Sequence, residues 1–212
     1  MTTIERGHTP AEAPSSDANI GFVPEGMSVD VRAKTEKLWE LLATFEYRSA
    51  HDRYVVTAGE ITDFASVPRV FVWFIPSYGL YTKAAILHDV LCRLADEGKF
   101  SRRDADGIFR QAMRILGVAF LRRWVMWVAV RWGAVVTRAG RKDWLKDAWI
   151  VLPTSLLLTP LLLPPAALIF FVLVVWYVLE MLAWVPLHLA KRAKDPHQPA
   201  KKVNRPELTL KA

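Results

Sequence analysis

The sequence predicts an α+β protein: a small antiparallel sheet followed by a packed helix pair, then a C-terminal transmembrane helix or helical hairpin. Three observations carry that prediction. Residues 52–64, DRYVVTAGEITDF, alternate apolar and polar side chains around Gly59, as a strand or hairpin does. Residues 82–95 and 102–116 place apolar side chains at helical spacing, and Ser101-Arg102-Arg103-Asp104 opens the second run as an N-cap should. Residues 148–179 contain no charged side chain, whereas about 20 apolar residues in a helix cross a hydrocarbon core of about 30 Å.

Taken in order, residues 1–27 mix charge, Pro and Ser where a secretory signal would place an apolar run, and they read as a disordered lead-in. Residues 28–138 form the α+β domain. Within it, residues 37–48, KLWELLATFEYR, mix helical and extended signals, and the sheet is expected over residues 36–64. Pro68 biases Val67 toward extended backbone, and the apolar run 70–79 ends at Pro76 and Gly79 as a loop or short helix. Residues 117–136 are apolar apart from Arg122, Arg123 and Arg131; their tryptophans suit a helix lying at a lipid interface or packed on the domain. Residues 139–147 read as a charged link to the membrane segment, residues 148–190.

Composition agrees with a membrane role. A hydrophobic content of 52% with 9 Trp is high for a soluble chain of 212 residues. The net charge of +7 and pI near 9.7 come from basic residues that flank apolar segments, which favours anionic lipid over nucleic acid as the acidic partner. Lys201, Lys202 and Arg205 lack the interleaved aromatic residues of a nucleic-acid surface, so no specific nucleic acid is expected. The single cysteine, Cys92, excludes an intrachain disulfide framework and reads as a small buried side chain.

Pro153, Pro160, Pro164 and Pro165 argue against one straight helix through the membrane segment. Two arrangements remain: one span over about 166–188, or a hairpin turning at Pro164-Pro165. Arg138, Arg141, Lys142 and Lys146 flank one end, and Lys191, Arg192, Lys194, Lys201 and Lys202 flank the other. Basic flanks on both sides favour the hairpin, with the domain and the basic tail, residues 191–212, both cytoplasmic. Trp149, Tyr177 and Trp184 read as interfacial anchors, and Glu180 as a carboxylate reaching back to the surface.

The string with most chemistry is Ala84-Ala85-Ile86-Leu87-His88-Asp89, followed one helix later by Asp104-Ala105-Asp106. Adjacent helical residues diverge by about 100°, so His88 and Asp89 serve neighbouring roles. His88 faces a carboxylate on the second helix, Asp106 or Asp104, that orients it as a general base. Asp89 turns toward residues 75–79, whose carbonyls are positioned to share a hard cation such as calcium. Asp63 is either a further acidic ligand or an Asx-turn carboxylate before Pro68. Ser66 and Arg69 belong to the same string as Asp63, and Ser66 lacks the Gly-x-Ser-x-Gly context of a nucleophile elbow. The competing structural reading is a buried His–Asp network that clamps the two helices. His51-Asp52 reads as an exposed turn, and there is no Walker loop, dinucleotide fingerprint, His-Glu-x-x-His or EF-hand loop.

Thr62-Asp63-Phe64-Ala65-Ser66-Val67-Pro68-Arg69, Tyr81-Thr82-Lys83-Ala84-Ala85-Ile86-Leu87-His88-Asp89 and Ser101-Arg102-Arg103-Asp104-Ala105-Asp106 together resemble the phage and prophage family known as the domain of unknown function 1353. The resemblance covers about residues 28–136, implies a phage or prophage origin and no settled activity, and leaves the membrane segment and tail unexplained. The His-Asp pair and the acidic residue of the next helix are also similar to calcium-dependent phospholipases that cleave the sn-2 ester, some of them in viral capsids. That likeness implies His88 as the base, Asp106 as its partner and Asp89 as the calcium ligand. The chain departs from it in lacking the disulfides and a Gly-rich calcium loop, having only Tyr78-Gly79 before the helix.

Two functions are therefore expected. One is a membrane-associated His/Asp, metal-assisted hydrolase acting on a lipid ester. The alternative is a noncatalytic membrane or virion-associated protein acting in infection, lysis or superinfection exclusion, with the lipid bilayer and phage or host envelope proteins as partners.

Overall fold

The computed structural model describes residues 3–6, 20–26, 28–50, 52–65, 67–194 and 206. Seven short strands come first. β5 (Phe45–Arg48) and β6 (Asp52–Val56) form an antiparallel hairpin in which Phe45 faces Val56 and Tyr47 faces Tyr54, all four buried. Alternation explains this, because every second side chain of each strand turns to the same face. β2 (Gly21–Val23) pairs with the outer side of β5, and β1 (Thr3–Arg6) with the outer side of β6. A second sheet joins β3 (Val31–Ala33), β4 (Trp39–Leu41) and β7 (Ile61–Thr62) in that order. The single sheet expected over 36–64 is thus two sheets. The lead-in reading is corrected at residues 3–6 and 21–23, which are paired strands; residues 7–19 lie outside the described residues.

Helix α1 (Thr82–Asp96) and helix α2 (Arg102–Ile115) stand within a residue of their expected bounds. Ser101 Oγ accepts from Asp104 N at 3.3 Å, satisfying one of the free amides of the first turn. α2 buries Ala105, Asp106, Phe109, Ala112 and Met113, a helical stripe with one carboxylate in it. α3 (Phe120–Ala134) buries Val125, Met126, Trp127, Val128, Arg131 and Ala134, so it packs on the domain rather than lying free at an interface. The aromatic face of the sheet, with Phe22 against Phe45 and Tyr47, joins α1 and α2 in one core.

The last element is α4 (Arg138–Lys194), an uninterrupted helix of 57 residues. It absorbs the supposed charged link at its start. Thr137 Oγ1 accepts from Gly140 N at 3.1 Å, and a Cβ on Gly140 would stand 2.2 Å from the Ala134 carbonyl oxygen, so glycine is what lets α4 start this close to α3. The helix shows no turn at Pro164-Pro165, and five prolines sit inside it. Each proline removes one donor, whereas a break in an apolar setting would strand several backbone groups, which explains why the helix persists.

Asp147, Val151, Leu158 and Ala166 of α4 are buried against the domain, and after Ala166 no described residue is. Residues 166–187 then offer about 33 Å of helix at ~1.5 Å per residue, enough for one crossing. α4 is long and apolar enough over Gly140–Pro186 to be a candidate membrane span, consistent with membrane association. The tail residues 195–205 and 207–212 lie outside the described residues.

Candidate functional site

The site starts from charges placed on apolar stripes. Asp106 is fully buried, with three cationic or imidazole partners around it. His88 Nε2 lies 2.7 Å from Asp106 Oδ1, Arg131 Nη1 donates to Asp106 Oδ2 at 2.9 Å, and Arg102 Nε lies 3.5 Å from Oδ1. Between the two guanidiniums the Asp106 carboxylate accepts from His88 Nε2, and no described residue hydrogen-bonds Nδ1. Phe109 lies over the imidazole, ring centroids 4.7 Å apart, and fixes its plane.

The chain of charges continues outward. Arg131 Nη2 lies 3.1 Å from Asp147 Oδ2, and Arg103 grips Asp147 from the solvent side at 2.9 Å. One ladder, His88–Asp106–Arg131–Asp147–Arg103, therefore ties α1, α2, α3 and α4 together. Arg131 and Asp147 were not anticipated as site residues. Their signal was register: Arg131 shares a stripe with Trp127, Val128 and Ala134, and Asp147 with Val151 and Leu158.

Asp89 occupies the next face of α1. Its Oδ2 accepts from Thr62 Oγ1 at 2.7 Å, and Thr62 Oγ1 in turn accepts from Phe64 N at 2.9 Å. Phe64 has φ 61°, a strained value for an aromatic residue, and the bend it makes brings residues 62–65 to α1. Burial pushes the Asp89 carboxyl up to about 7; the Thr62 hydrogen bond opposes the shift and the charge of Asp63 adds to it.

His88, Asp89, Cys92 and Arg102 line one end of a cavity of about 880 Å³. Arg93, Ser155 and Thr159 also line it, and most of the remaining wall is apolar, with Phe71 and Phe74 at and after the 3-10 turn Arg69–Phe71, Val125 and Met126 of α3, and Leu158 and Leu162 of α4. Among the other expected residues, Asp63 stands near Asp89 without lining the cavity, while Asp104 is exposed and Arg69 is exposed at the 3-10 turn. Asp106, not Asp104, is the partner of His88. Ser66 and His51 lie outside the described residues.

The donor set does not suit calcium, which takes six to eight oxygens. In residues 75–79 the Pro76 carbonyl accepts from Tyr81 Oη and the Gly79 carbonyl from Thr82 Oγ1, so these oxygens fasten the start of α1. The metal-capable group that does converge among the described residues is His88, Cys92 and Asp106, with ligand atoms within 4.8 Å of one another. Arg102 and Arg131 already hold the Asp106 oxygens and oppose a cation there. Burial raises the Cys92 thiol, which keeps it neutral beside His88 Nε2 at 3.4 Å.

Residues 39–130 match the model of a family described as a protein of unknown function, DUF1353. The matched part holds His88, Asp89, Arg102 and Asp106 and ends one residue before Arg131. No curated protein and no solved structure matches the chain.

Proposed function

We propose that this protein is a membrane-anchored hydrolase of lipid esters, with α4 crossing the bilayer over residues 166–187 and His88 as the general base. One observation carries the reading: an imidazole held by a buried carboxylate stands at the polar end of a large apolar cavity, and one wall of that cavity is the helix that continues into the candidate span. Asp106 keeps the Nε2 hydrogen, so Nδ1 takes a proton from a water that attacks the ester carbonyl. The tetrahedral intermediate collapses as Nδ1–H returns the proton to the leaving alkoxide, giving a fatty acid and an alcohol. Asp89, protonated below about pH 7, donates toward the developing oxyanion. No step runs through calcium. With the phage or prophage origin that the sequence resemblance implies, the proposed setting is the host envelope.

The test is fatty-acid release from phospholipid vesicles by the purified full chain, with added calcium and with a chelator. The reading expects release in both conditions, loss of at least 100-fold in His88→Ala, and a rate that falls as pH rises through about 7, a limb that Asp89→Asn removes. No release by a folded, membrane-inserted chain on varied lipids would instead support the noncatalytic reading. The full burial of both Asp106 and Arg131 favours that alternative, in which the ladder clamps four helices and does no chemistry.

A further inference from the structure

Arg102 flanks Asp106 and takes no part in the proton transfers of the hydrolase reading. It is the first residue of α2, its side chain is 12% exposed, and its one ion pair among the described residues is the 3.5 Å approach to Asp106 Oδ1. Its Nε is buried with no hydrogen-bond partner. A desolvated guanidinium with open donors is costly unless something accepts from it. The other cations nearby are committed: Arg93 to Glu60 and the Ile61 carbonyl, and Arg131 to Asp106 and Asp147. Arg102 lines the cavity with an unpartnered, buried Nε, and it shares Asp106 Oδ1 with His88.

The rest of the cavity says what such an anion is attached to. Phe71, Phe74, Leu158 and Leu162 form an apolar wall, and Leu158 and Leu162 lie on the last turns of α4 before Ala166, where the domain releases the helix toward the candidate span. The volume of about 880 Å³ exceeds what a free inorganic anion fills and suits an acyl chain with its head. We propose that the cavity takes an anionic amphiphile from the bilayer, its acyl chain against the α4 wall and its phosphate or carboxylate head on Arg102. This rests on the reading of α4 as a bilayer-crossing helix and names the substrate class of the same site. The anionic head then sits within one side chain of the His88 base, and a fatty-acid product carries the same kind of head.

Binding is measured apart from hydrolysis, by native mass spectrometry of the full chain released from neutral detergent micelles. The probes are dodecyl phosphate, dodecanol and inorganic phosphate. The expected result is one dodecyl phosphate retained per chain, with dodecanol at least tenfold weaker and inorganic phosphate alone not retained. Arg102→Gln should lower dodecyl phosphate affinity at least tenfold, and Arg102→Lys should recover part of it. Leu162→Trp, which fills the apolar wall and leaves Arg102 in place, should block dodecyl phosphate as well, and it serves if Arg102→Gln does not fold. Equal retention of dodecanol and dodecyl phosphate, tight retention of inorganic phosphate alone, or unchanged binding in both Arg102→Gln and Leu162→Trp overturns the proposal. Arg102-dependent binding without any ester hydrolysis supports it and retires the hydrolase reading of His88.

Discussion

The two halves of α4 are built from the same kinds of residue and do different things. Up to Ala166 the helix gives the domain one stripe, Asp147, Val151, Leu158 and Ala166, while Leu152, Leu156 and Leu157 on its other faces stay exposed. Beyond Ala166 no described residue is buried, and Leu168, Phe171, Trp176 and Leu182 are each more than half open. Apolar composition therefore does not by itself tell a core helix from a membrane span. What stands opposite each face decides, and the domain covers a stripe of only the first half.

Substitutions sharpen that contrast, and the buried ladder should respond most. Arg131→Met removes the partner of two buried carboxylates, Asp106 and Asp147, and unfolding in detergent should show a loss of about 3–5 kcal/mol. A loss below about 1 kcal/mol would mean that the ladder does not hold α4 to the domain. Gly140→Ala comes next, because the new Cβ meets backbone rather than a flexible side chain; chemical denaturation should show a loss of about 1–3 kcal/mol as the start of α4 lifts from α3.

The effect of Asp89 depends on pH. Burial raises its folded pKa to about 7, so the carboxyl costs nothing below about pH 4, destabilises increasingly between about pH 4 and 7, and costs a constant amount above that. Asp89→Asn keeps an acceptor for Thr62. Paired melting curves should nearly coincide near pH 4 and separate in favour of the variant by pH 8; curves that stay parallel would remove Asp89 as a buried acid. Smallest of all, Leu168→Ala in the outer half of α4 should move domain unfolding by no more than about 0.5 kcal/mol. A larger effect would place that half against the domain.

Much of the local structure was legible. α1 and α2 followed from apolar spacing and the Ser101 cap, and a partner for His88 on α2 was legible as Asp106 or Asp104, which the structure resolves to Asp106. The remainder needed partners distant in sequence. Strand Thr3–Arg6 is defined by pairing with Asp52–Val56, and its own composition reads as a lead-in. Arg102 is an ordinary surface letter until the carboxylate beside it is placed. Prolines misled because their cost was weighed against water, whereas beside apolar surroundings a broken helix costs more than a missing donor. Asp104 failed as a site residue for a helical reason: two positions from Asp106, it turns to solvent.

The central claim is that His88 is a neutral base held by Asp106, and the ring-nitrogen shifts of His88 in the full chain at neutral pH test it most directly. The account predicts a protonated Nε2 and an unprotonated Nδ1, with that pattern lost in Asp106→Asn and kept in Asp89→Asn. Two protonated ring nitrogens would make His88 the cation of an ion-pair clamp and contradict the account.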